Sequence, residues 1–157
     1  MTKAKTIRLI MPQWQGGNNP LYHLGAELLA YLAPHTNVPS FTVPVAKPDA
    51  PLKNEAGIMG RSAIVKQLES AYNIIRKEKP DKIVMLGGDC LVDLAPFSYL
   101  STLYGNTFGI LWIDAHPDVM TPEQFANSHA HVLGALMRNG DHDLTKDVKT
   151  PVLPKKL

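Results

Sequence analysis

The chain has 157 residues, 45% of them apolar and 19% charged, which suits one globular domain with a real core. Sixteen basic and fourteen acidic side chains leave a net charge of +2, too even a balance to suggest a nucleic-acid or anionic-membrane partner. No apolar run approaches the ~18 residues of a transmembrane helix, the basic start (Lys3, Lys5, Arg8) leads into a stretch too short and polar for a secretory core, and a lone cysteine, Cys90, fits a reducing cytoplasm.

Taken in order, "KTIRLIMPQ" reads as a strand closed by Pro12, and "QWQGGNN" as a loop. Gly16-Gly17-Asn18-Asn19 is read there as a plain turn, with an anion loop at a helix start as the alternative. A helix follows, capped by Asn18 or Asn19, with Pro20 in its first turn, Pro34 beyond its end, and Leu21, Leu24, Leu28 and Leu32 as its apolar stripe. "VPSFTVPVA" is a weaker strand, placed at a sheet edge because Pro39 and Pro44 lack ladder donors. "APLKNEAG" is a loop. A long helix over about 57–79 carries Ile64, Val65, Leu68, Tyr72 and Ile75 on one face and ends at Pro80.

"DKIVMLGGDC" contains a continuous apolar run, Ile83 to Leu86, of the kind found in a strand buried on both faces. Residues 91–104 are predicted helical despite Pro96, and "TFGILWID" is predicted to be a second buried strand. A helix over about 128–138 stops at Asn139-Gly140, a C-cap signal. Residues 1–140 thus form an α/β domain, and residues 141–157 an irregular tail whose "DHD" is a solvated turn. Alternating strands and helices argue for a mainly parallel sheet with helices on both faces. Ligands bind such sheets beyond the carboxyl ends of the strands, where "GGDC" and "DAHPD" both lie.

In an extended segment, side chains at alternate positions point the same way. Asp114, His116 and Asp118 can therefore converge. Two converging carboxylates repel unless one protonates or a cation lies between them. Oxygen donors with one imidazole suit a hard or borderline ion such as Mn²⁺. The plain alternative is a polar strand end that faces water or caps the next helix. His23, His35 and His142 read as surface or satisfied histidines, and Trp14 and Trp112 as packing residues.

"LGGD", "WIDAHPDVMTPE" and "NSHAHVLGALM" together resemble the arginase–agmatinase (ureohydrolase) family over about Lys82 to Met137. The resemblance implies a three-layer α/β/α fold and Mn²⁺-dependent hydrolysis of a small guanidino-type substrate, giving urea and an amine. Asp114 would bridge two ions, Asp118 would bind the first and His116 the second, and Asp89 would orient a ligand. His129 would match the family's proton-shuttling or substrate-contacting histidine, with His131 its rival.

Two departures accompany the resemblance. Cys90 stands where the family places a histidine ligand of the first ion, so it is either a softer ligand or a small buried residue. A late S-x-D-x-D segment, which supplies two further aspartates in the family, has no counterpart after Met137; only Asp141, Asp143 and Asp147 follow. In the family, later strands also separate the "GGD" strand from the "DAH" strand. The expectation is therefore an incomplete, arginase-like metal-dependent hydrolase of guanidino C–N bonds, truncated and inactive by itself. The alternative is a non-catalytic remnant acting as an interaction or homo-oligomerising module.

Overall fold

The computed structural model describes residues 4–156. Three strands form a parallel sheet in the order β2-β1-β5: β1 (Thr6–Met11) lies between β2 (Ser40–Thr42) and β5 (Lys82–Gly87). Register is continuous from Thr6 opposite Lys82 to Met11 opposite Gly87. In β1, Ile7, Leu9 and Met11 are fully buried while their neighbours are half-buried, the period of two that a strand imposes. The predicted edge strand after Pro39 is β2, paired through Arg8–Ser40 to Ile10–Thr42.

The core on the Leu9 and Met11 face is built largely by α2 (Arg61–Glu78) and α3 (Leu94–Tyr104). In α2, Ile64, Leu68, Ala71, Tyr72 and Ile75 are buried, one helical stripe. Burial of each larger member contributes ~1.5–3 kcal/mol, and Ile75→Ala would cost ~2–5 kcal/mol. Arg76 and Lys77 sit in the last turn, where cations offset the partial negative charge of the helix end. A short antiparallel pair, β3 (Asn54–Glu55) with β4 (Ile58–Met59), takes the end of the region expected to be a plain loop and the first residues of the expected helix, which begins at Arg61 instead. Among the described residues no helix is long and apolar enough to cross a membrane.

Five further expectations change. First, "TFGILWID" forms no strand: Phe108 to Asp114 pairs with no strand among the described residues, and Leu111 and Ile113 are 84% and 88% exposed. A ladder needs a neighbour, which local apolarity cannot supply. Second, β5 is not buried on both faces. Among the described residues it pairs with β1 alone, and Val84 is 44% exposed.

Third, the stripe of α1 (Leu21–Leu32) faces outward. Leu21, Leu24, Leu28 and Leu32 are exposed, whereas His23 and Ala26 are buried. The Asn19 carboxamide caps this helix, accepting from the Leu21 N–H at 3.1 Å. Fourth, the helix expected over about 128–138 is a 3₁₀ turn, Ser128–His131, followed by a five-residue α4 (Val132–Leu136). Fifth, "DHD" is not a solvated turn. Asp141 caps α5 (His142–Thr145), accepting from the Asp143 and Leu144 N–H groups. Both Asp141 and Asp143 accept from the Arg61 guanidinium. Beyond residue 140, Leu144, Val148 and Val152 enter the main core.

Candidate metal and substrate site

The site forms where β5 ends. Gly87 and Gly88 carry the chain over the end of β1, and a Cβ on Gly88 would overlap the Gln13 carbonyl oxygen. Only glycine permits that approach. Asp89 then caps a 3₁₀ turn, Cys90–Asp93, accepting from the Leu91 N–H at 3.0 Å. Its second oxygen accepts from the Gly17 N–H at 3.2 Å. A Cβ on Gly16 would meet the same carboxylate at 2.6 Å. The glycine pair read as a plain turn is therefore the cradle of Asp89, and its only sequence signal was two adjacent glycines between a strand and a helix. Burial pushes the Asp89 carboxyl up to about 7, against the opposing pull of the surrounding backbone N–H groups.

Asp89 is turned into the protein, and Cys90 is turned the other way. The Cys90 Sγ lies 3.6 Å from the Asp114 Oδ2. Cys90, Asp114 and Asp118 each offer a donor atom, all within 4.8 Å of one another. Asp118 is 2% exposed, and its Oδ2 is buried with no hydrogen-bond partner. Burial, then the charges of Asp118 and Asp114, push the Cys90 thiol up to about 12. Burial, then the Asp114 charge, raise the Asp118 carboxyl above its ordinary value. This electrostatic conflict is the one a dication relieves.

The alternation that predicted a convergence here is not how these groups meet. Asp114 Oδ1 accepts from the His116 N–H at 2.9 Å, closing a local turn, and Asp118 adopts φ +46°. That left-handed conformation is uncommon outside glycine and is held by the Leu133 and Gly134 N–H groups, which donate to the Asp118 carbonyl at 2.9 and 3.2 Å. The result brings Asp114 and Asp118 together but leaves the His116 side chain 78% exposed, outside the three-donor cluster.

Asp118 also lines a cleft of about 280 Å³ with His116, Val119, Met120, Phe125 and His129. Val119 and Met120 fall within the "WIDAHPDVMTPE" stretch but the resemblance gives them no role, and Phe125 is not singled out. The His129 N–H and ring Nδ1 both lie 3.1 Å from the Gly16 carbonyl, so one peptide links the Asp89 cradle to the cleft. The His129 ring also meets Phe125 edge-on, with centroids 5.9 Å apart. His131 takes a different position. It is 2% exposed, its Nε2 lies 2.7 Å from the Phe125 carbonyl, and burial lowers its pKa. It buttresses the loop that carries Phe125, behind the cleft.

The sequence matches the arginase family over residues 32–147. The chain belongs to the arginase family. No curated protein matches it in sequence. Among solved structures, the arginase of Entamoeba histolytica in complex with L-ornithine is similar at 22% identity, with a TM-score of 0.79 over 99% of this chain and 56% of that one. The Bacillus caldovelox arginase is similar at 17% identity, with a TM-score of 0.80 over 98% and 56%. A Bacillus subtilis arginase gives 23% identity and a TM-score of 0.62 over 97% and 55%. The fold is therefore that of the three-layer α/β/α arginases, and the chain spans about half the length of those it matches.

Proposed function

We propose that this chain contributes a divalent-metal site and one wall of a substrate cleft to the metal-dependent hydrolysis of a guanidino-type C–N bond. The observation that carries the reading is the buried, unpartnered Asp118 Oδ2 beside Asp114 and Cys90. The donor set fits one dication: two carboxylates and a sulfur, with a buried acceptor that nothing else satisfies. Bound there, the ion would supply Lewis acidity and an activated water. In the arginase family that ion is Mn²⁺, and a second ion takes the imidazole that His116 here holds in solvent.

The chain's own residues give the rest. Asp89 holds the Gly16–Gly17 loop against the strand end and so positions Cys90. The Gly16 carbonyl orients the His129 ring, which stands in the cleft where a leaving amine would need a proton. Phe125, Val119 and Met120 give the cleft one apolar wall. The ornithine bound by the Entamoeba enzyme is such an amine, and its parent guanidino compound is the substrate to try first. With a divalent ion supplied, any urea release from arginine or agmatine is expected to be abolished in His129→Ala and Asp118→Ala. Release unaffected by both substitutions would refute it.

A second reading draws on the exposed Leu111 and Ile113, on the edge of β5 that no described strand pairs, and on the outward row of α1. Apolar surface of this kind marks association, so the chain would act as an interaction or homo-oligomerising module. Light scattering decides: a stable monomer at all concentrations would count against it.

A further inference from the structure

We propose that the Cys90–Asp114–Asp118 site is a single-ion centre that prefers thiophilic, borderline dications such as Zn²⁺ or Co²⁺ over Mn²⁺. The inference rests on the reading of these residues as a dication site and adds which ion they select.

Three observations carry it. The first is the donor set. One sulfur and two carboxylate oxygens lie within 4.8 Å of one another. Mn²⁺ is the weakest binder in the first-row divalent series and gains least from sulfur, whereas thiolate ligands select zinc and other softer ions. A single thiolate among three ligands therefore biases the site away from Mn²⁺.

The second is spacing. Four-coordinate zinc takes sulfur at ~2.3 Å and oxygen at ~2.0–2.2 Å, so a tetrahedral S–Zn–O angle places the two donors ~3.6 Å apart. The Cys90 Sγ to Asp114 Oδ2 separation is 3.6 Å. One Asp118 carboxylate oxygen lies within 4.8 Å of both and offers the third corner. Asp118 is 2% exposed and its Oδ2 has no partner, so this oxygen calls for a ligand independently of the cysteine. The fourth corner is left for water or substrate, as in catalytic zinc sites with three protein ligands.

The third is what the cluster lacks. A two-ion carboxylate centre would suit harder ions and requires donors on the far side of Asp114. The imidazole of His116 is 78% exposed, and its Nδ1 lies 3.8 Å from Asp114 Oδ1. The described residues place no further His, Cys, Asp or Glu within the cluster of three. On metal uptake the Cys90 S–H bond is replaced by a metal–sulfur bond and the proton passes to water.

The test uses the full chain stripped of metal with a chelator under reducing conditions. Co²⁺ is titrated in while the near-ultraviolet thiolate-to-cobalt charge-transfer band is followed, and Zn²⁺ and Mn²⁺ then compete for the site. The expected result is a saturable band that Zn²⁺ removes at stoichiometric amounts and Mn²⁺ does not at about tenfold excess. Cys90→Ser should abolish the band and narrow the Zn²⁺ over Mn²⁺ preference by about tenfold or more. Cys90→His, which keeps a donor but removes the sulfur, should bind Co²⁺ without the band and serves if the serine variant folds poorly. Binding of Co²⁺ with no thiolate band, or a Zn²⁺ over Mn²⁺ preference unchanged in both variants, overturns this inference and leaves the dication site standing. Failure of all three ions to bind overturns both.

Discussion

Arg61 at the start of α2 and Asp141 are eighty residues apart in sequence, and their contact ties the segment after residue 140 to the domain. Arg61 Nε and Nη2 donate to the two Asp141 oxygens at 2.9 and 3.1 Å, and Nη2 donates to Asp143 at 2.7 Å. The side chains of Arg61 and Asp141 are 24% and 11% exposed, so water screens the pair only partly. Asp141 also caps α5 through the Asp143 and Leu144 N–H groups. Replacing Asp141 with alanine removes both roles. The cap contributes ~1 kcal/mol, and a partly screened bidentate pair adds ~1–2 kcal/mol. The expected loss is ~2–3 kcal/mol, a fall in Tm of ~5–10 °C at this chain length. Asp141→Asn keeps an oxygen for the cap and should lose roughly half as much. Denaturant unfolding of wild type, D141A, D141N, Arg61→Met and the D141A double variant with Arg61→Met measures the coupling directly. A D141A variant within ~0.5 kcal/mol of wild type would refute the claim that this knot holds residues 141–152 in the core.

Other outcomes rest on the same geometry. Gly88→Ala drives a Cβ into the Gln13 and Tyr22 carbonyls and should destabilise by ~2–3 kcal/mol or more; Gly25→Ala in α1 meets nothing within 4 Å and should stabilise by ~0.5–1 kcal/mol, both read by chemical denaturation. Asp89 has a folded pKa of about 7 against an ordinary 3.8, so the folded state holds a proton that the unfolded chain releases; stability of the metal-free protein from this group is fullest below pH ~4 and falls toward pH ~7 by up to ~4 kcal/mol. Asp89→Asn should flatten that decline, and parallel pH profiles for the two proteins would contradict it. Asp118→Asn removes a buried, unpartnered carboxylate, so without metal it should be at least as stable as wild type at pH ~8, by ~1–2 kcal/mol, while losing any thermal shift on adding a dication; calorimetry with and without metal checks both.

The elements whose evidence is local were legible in the sequence. The period of α2, the Pro80 stop and the position of β5 appear where expected, whereas the helix expected to end at Asn139-Gly140 stops at Leu136 with Arg138 left-handed beyond it. Asn19 caps α1, one of the two asparagines expected to do so. What escaped depends on contacts between distant residues. Leu111 and Ile113 read as buried, yet a strand exists only where a neighbour pairs with it, and none of the described residues does. The leucines of α1 form a proper stripe, but the described residues lay no apolar layer over it. Asp114 and Asp118 were expected together and are, by a route that alternation does not describe: a local turn at Asp114 and a left-handed Asp118 held by the Leu133 and Gly134 N–H groups. The role of Gly16 and Gly17 as the cradle of Asp89 depends on a partner seventy-two residues away from Gly17, which no local pattern discloses.

Whether Asp114, Asp118 and Cys90 hold a dication is decided by equilibrium dialysis of the chelator-treated chain against Mn²⁺, Co²⁺ and Zn²⁺, with bound metal counted by elemental analysis. A single ion per wild-type chain is expected, lost in Asp114→Ala and Asp118→Ala, with both variants folded by circular dichroism. No ion on the wild type, or the same occupancy in the two variants, would contradict it.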